Sequence, residues 1–162
     1  MIDFPLAESY KIEGGGARIL TGAEVWPVAL KYVNLANCQM CTIVASVTIA
    51  AAATTITIEQ ATTRIGGSTK AITVAVPIWH NVDVAVTDTL VRQANAVSFT
   101  TGATAHPTLT VFQVDPATLD LANGFYFIIA KTSVAAAAYA SVEFFLDTRY
   151  PQATPPAQWT AS

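Results

Sequence analysis

Residues 40–50 read MCTIVASVTIA. Cys41, Ile43, Ala45, Val47 and Ile49 fall on one side of an extended chain; Thr42, Ser46 and Thr48 fall on the other, with Val44 among them. A period of two built from β-branched residues predicts a strand with one face in a core and one outward. Working outward, the alternation recurs. In TTITIEQ (54–60), Ile56 and Ile58 oppose Thr55, Thr57 and Glu59. In AITVAVPIW (71–79), Ile72, Val74, Val76 and Ile78 oppose Thr73 and Ala75; in SVEFFLD (141–147), Val142, Phe144 and Leu146 oppose Ser141, Glu143 and Asp147. ALKYVNL, TLVRQA, AVSFTT, TLTVFQV and FYFIIAKT are further strand-like runs. Half-buried strands of this kind belong to antiparallel sheets. Eight or nine of them predict an all-β chain, an antiparallel β-sandwich or jelly-roll-like single domain.

Turn chemistry separates the runs at Gly66-Gly67-Ser68, at His80-Asn81 and at Thr101-Gly102. One short helix is expected, capped by Asp115, with Pro116 at its first position and Asn123-Gly124 as its stop. The alanine runs 50–53 and 135–138 are too short for helices of their own and read as loops or strand ends. Three zones result. Residues 1–27, with Pro5, Gly14-Gly15-Gly16 and Pro27, read as an extended N-terminal arm rather than a packed element, the glycines forming a hinge. Residues 28–147 are the sandwich domain. Residues 148–162, DTRYPQATPPAQWTAS less its first residue, form a Pro-rich extended C-terminal tail.

Composition narrows the function. Only 12% of the 162 residues are charged, 52% are hydrophobic, and the formal net charge is −3. A soluble domain usually carries about 25% charged residues. A folded monomer of this size exposes roughly 7,800 Å², so much of this surface is uncharged polar or is covered by another chain. Twenty-two threonines suit a pleated outer face. Nothing gives the basic footprint of a nucleic-acid binder, and the hydrophobicity excludes intrinsic disorder. No run reaches the 18 or so apolar residues of a membrane helix; Thr42–Ala53 is too short. The first residues lack the basic and apolar regions of a signal peptide, so synthesis and use in a cytoplasm are expected.

Chemical signatures are sparse. Cys38-Gln39-Met40-Cys41 is a C-x-x-C, but it leads into a strand, where positions three apart point to opposite faces; no second pair or H-x₃₋₅-H completes a zinc set. His80 and His106 read as loop residues. No G-x-S-x-G is present, and the glycine triplet lacks phosphate-loop spacing. Asp83, Asp88, Glu59 and Glu143 read as solvated strand-end charges rather than a catalytic pair. The expectation is therefore a non-enzymatic chain with no cofactor and no metal. The aromatics and prolines of the arm and tail read as contact residues for partners: Phe4, Tyr10 and Trp26, then Tyr150, Pro155, Pro156 and Trp159. A carbohydrate-binding sandwich, with Trp79 or Trp159 stacking on sugar rings, is the alternative in another class.

Two segments carry a resemblance. One is V-D-x-x-x-L-D-x-A-N-G, here Val114, Asp115, Leu119, Asp120, Ala122, Asn123 and Gly124. The other is R-Y-x-Q-A-T-P-P, here Arg149, Tyr150, Gln152, Ala153, Thr154, Pro155 and Pro156. With the runs around them, from about residue 28 to 156, they resemble the head decoration (cement, auxiliary capsid) proteins of tailed bacteriophages. The resemblance implies a sandwich on the exterior of the virion, bound to the major capsid protein, self-associating as a dimer or trimer, with no nucleic-acid or membrane partner. A tail, neck or fibre-base component of the virion is the nearest alternative role.

Overall fold

The alternation of residues 40–50 is the spine of the structure. The computed structural model describes residues 10–19, 31–49, 53–133 and 137–149. In it, Cys41, Ile43, Ala45 and Val47 are each at most 1% exposed, while Thr42, Val44, Ser46 and Thr48 are only half-buried on the opposite face. They belong to β3 (Cys38–Ile49), the longest strand with β11 (Ala137–Thr148). The others are β1 (Tyr10–Ile19), β2 (Val33–Asn34), β4 (Thr55–Ala61), β5 (Thr69–Ala71), β6 (Val76–Asn81), β7 (Val91–Ala96), β8 (Ser98–Thr100), β9 (Pro107–Val114) and β10 (Phe127–Thr132). Two antiparallel sheets result. The first runs β1-β11-β3-β9-β6-β7; the second runs β2-β10-β4-β5, with β8 also on β4. The chain is an all-β sandwich, as the period of two requires.

Register explains why the core is continuous. Phe144 lies opposite Ile43, Ile43 opposite Phe112, and Phe112 opposite Ile78. All four are fully buried, so one row crosses four strands of the first sheet. Ile56 and Ile58 of β4 and Ile128 and Ala130 of β10 close on it from the second sheet in a single cluster. Burying such side chains contributes about 1.5–3 kcal/mol each. Towards one end the inward row turns polar, and each group finds a partner. The Thr108 hydroxyl donates to the Val47 carbonyl at 3.0 Å, and His80 Nδ1 lies 3.0 Å from Thr110 Oγ1.

Several local expectations are corrected. Residues 10–19 are extended, as expected of the arm, but they pair with β11 as an edge strand. The glycine triplet is no free hinge. The register shifts between Gly14 and Ala17, where an extra residue is absorbed into β1; glycine suits such a bulge. The run 71–79 is two strands, not one. Ile72 and Val76 still point inward, but Val74 is 43% exposed where the chain crosses between sheets. His80 and Asn81 are strand residues of β6, not loop residues. The expected helix is two single 3₁₀ turns, Pro116–Thr118 and Leu121–Asn123. Their capping chemistry is as read: the Asp115 carboxylate accepts from Ala117 N–H at 2.8 Å, and Gly124 ends the second turn at φ 79°. Among the described residues there is no α-helix, and no helix is long and apolar enough to cross a membrane.

Candidate interaction surface

Between β6 and β7 the usual distribution of polar and apolar side chains is inverted. Asn81 and Asp83 are buried, while Val82, Val84 and Val86 are 57%, 42% and 80% exposed. The cause is turn chemistry. Asn81 Oδ1 accepts from Asp83 N–H at 3.0 Å, and its amide donates to the Thr87 carbonyl at 2.7 Å. Asp83 Oδ1 accepts from Ala85 N–H at 3.0 Å, the Asp83 carbonyl accepts from Thr87 N–H at 3.1 Å, and His106 Nδ1 sits 2.9 Å from Asp83 Oδ2. Short carboxylates and amides readily satisfy nearby backbone, and here both are buried as they do so. The intervening valines are thereby held outward on a well-tied loop. Leu90 and Val91 extend the ridge at 41% and 56% exposure, and an open groove of about 680 Å³ lies between it and Leu109.

β7 lies beside the ridge. It pairs with β6, with Val91 opposite His80, Arg92 opposite Trp79 and Gln93 opposite Ile78. No described strand pairs with its other edge. Arg92 lies over Trp79, 4.8 Å from the ring centre, and donates to the Ile78 carbonyl at 3.1 Å. One face of the Trp79 indole is therefore already stacked. Behind the strand, burial holds the His80 imidazole below its ordinary pKa, a backbone bond opposing; its ring packs against Phe99 at 4.6 Å.

A second depression, about 580 Å³, lies at the opposite end of β3, among Leu35, Cys38, Pro116, Leu121, Tyr126 and Arg149. Cys38 and Cys41 are both buried thiols rather than residues of opposite faces. A register shift between Asp147 and Thr148, opposite Met40 and Cys38, breaks the alternation there.

The carboxylates do not converge. Glu59 is not a solvated strand end. It stands mid-strand, accepting from the Tyr32 hydroxyl and, at 2.6 Å, from Lys131. Burial first, then that bond to Glu59, pushes the Tyr32 phenol well above its ordinary range. Tyr32 itself is roofed by the 62–68 turn: Tyr32 N–H donates to the Arg64 carbonyl, and Gly66 lies on its ring. Glu143 stands mid-β11, half-buried on the outer face of the other sheet, and burial raises its pKa. Asp83 is buried in the loop, and Asp88 is exposed on it. Asp120 accepts from Lys70 and Asn123, and Lys70 lies 4.4 Å from the centre of Phe125. These bonds lower the Asp120 pKa, that from Lys70 most. The Val114–Gly124 segment is thus a capped connection between β9 and β10. Among the described residues no three of His, Cys, Asp and Glu gather to hold a metal.

Of the expected contact residues, Tyr10 begins β1, opposite Asp147. Phe4, Trp26, Tyr150, Pro155, Pro156 and Trp159 lie outside the described residues. The valine ridge was missed in the sequence. Its signal is N-V-D-V-A-V-T-D, where Asn and Asp alternate with the valines and so compete for the inward side. No family model, curated protein or solved structure matches the chain.

Proposed function

We propose that this chain is a non-enzymatic structural protein of a tailed-bacteriophage virion: a head decoration (cement) protein that self-associates and binds the outer surface of the major capsid shell. The observation that carries the reading is the ridge Val82–Val91. Its exposed Val82, Val84 and Val86, with Leu90 and Val91 beyond Asp88, are tied from behind by Asn81, Asp83 and His106 and stand next to a strand edge that no described strand pairs. Several large apolar side chains exposed on one hydrogen-bonded loop mark a contact site. The low charge of the whole chain and the two sequence segments resembling decoration proteins support the same role. Such a protein works by area: a standard interface buries about 1,600 Å², and repetition over a shell multiplies weak contacts.

The test is to add purified protein to shells assembled from the major capsid protein alone. Saturable binding and a raised thermal rupture temperature are expected. Absence of binding, or localisation of the chain to the neck or tail in virion density, overturns the assignment.

A further inference from the structure

The ridge and β7 together spell a self-complementary edge, and this deepens the proposed role, resting on its reading of the chain as a homo-oligomer. Asp88, Leu90 and Arg92 are exposed and two residues apart. Arg92 stands on the outer face of the first sheet with Trp79; β7 begins at Val91, and once residues 88–90 extend it, residues two apart share that face. We propose that two copies pair antiparallel through residues 88–92, the start of β7 and the chain just before it, centred on Leu90.

An antiparallel pair about a two-fold axis sets residue i opposite its mirror in the partner strand. Centred on Leu90, the register places Leu90 against its own counterpart and Asp88 against Arg92 of the second copy, twice over. Opposite charges directly across strands attract, and like charges repel. Adjacent registers lose this match. The contact is isologous, so it closes at two copies. β7 carries neither lysine nor proline, two of the residues that guard open edges. Pairing extends β7 backward through residues 88–90, and the outward Val84 and Val86 side chains flank the new seam. A second copy is the occupant because the charge sequence Asp88–Leu90–Arg92 is its own complement.

Sedimentation equilibrium of the full chain tests this. The wild-type protein is expected to be a dimer at micromolar concentration. Asp88→Arg puts two pairs of arginines face to face and weakens dimerisation by about tenfold or more. Leu90→Glu does the same at the centre. The double variant Asp88→Arg/Arg92→Asp restores opposite charges and recovers the dimer, which a merely structural role of Arg92 cannot do. Far-ultraviolet circular dichroism and urea midpoints confirm folding of each variant. A monomeric or trimeric wild type overturns the inference, as does a dimer indifferent to Asp88→Arg and Leu90→Glu. So does a double variant that folds but stays monomeric. Shell binding is scored separately: a dimer that ignores shells overturns the virion role, while a shell-binding monomer overturns only this pairing.

Discussion

Gly66 and Gly124 share a backbone conformation, φ 78° and 79°, but not an environment. A Cβ on Gly66 falls 2.9 Å from Tyr32 Cε2, whereas at Gly124 nothing lies within 4 Å. Gly124→Ala therefore meets only the left-handed backbone cost, about 1 kcal/mol. Gly66→Ala adds a clash with a ring that is 1% exposed, for a total of about 2–4 kcal/mol. Urea denaturation of both variants checks the difference; equal losses mean that the Tyr32 ring yields freely. His80 sets a pH dependence. Its folded-state pKa lies below the ordinary 6.5, so the unfolded chain takes up the proton first as pH falls. Its contribution to stability is complete above about pH 6.5 and declines through the window below it. Urea midpoints at pH 7.5 and 5.5 should show that decline in the wild type and a shallower one in His80→Gln. Identical slopes would mean that His80 titrates alike in the folded and the unfolded chain. The sequence did not disclose either site. His80 looked like turn chemistry beside Asn81 because the threonine that accommodates it, Thr110, lies 30 residues away.

At the level of elements, legibility followed periodicity. β3, β4 and β11 alternate cleanly over seven or more residues, and the inward set of each was evident from side-chain type alone. The 71–79 run kept its alternation across a crossover between sheets, so its break was invisible; nothing local distinguishes a strand from a strand–bend–strand when both halves bury the same parity. β1 was hidden for the opposite reason. Its glycines erase the period, and what organises it is the β11 edge, a non-local cause. That edge makes a prediction. Deleting residues 1–19 uncovers β11 from Tyr139 to Asp147, and long open edges recruit other chains. The truncated protein should have a lower urea midpoint and should form large species in velocity sedimentation. An unchanged midpoint with no large species would mean that β1 contributes nothing to the sheet.

For the whole molecule, the two sheets differ in what they leave open. The first ends in β1 on one flank and β7 on the other. The outer flank of β4 in the second is divided between β5, against Glu59–Ala61, and β8, against Thr55–Thr57. The fold class could be read from composition and period, but this asymmetry depends on where short strands land, which only the closed structure determines. The ridge shares that origin in part: Asn81 and Asp83 tie its turn locally, and distant His106 and Pro107 hold the loop from behind. The broken flank of β4 has a further consequence. Two stubs of three residues each, interrupted by the intervening chain, offer no ladder long enough to template a stranger's backbone. Growth by strand addition is thereby hindered along that flank of β4.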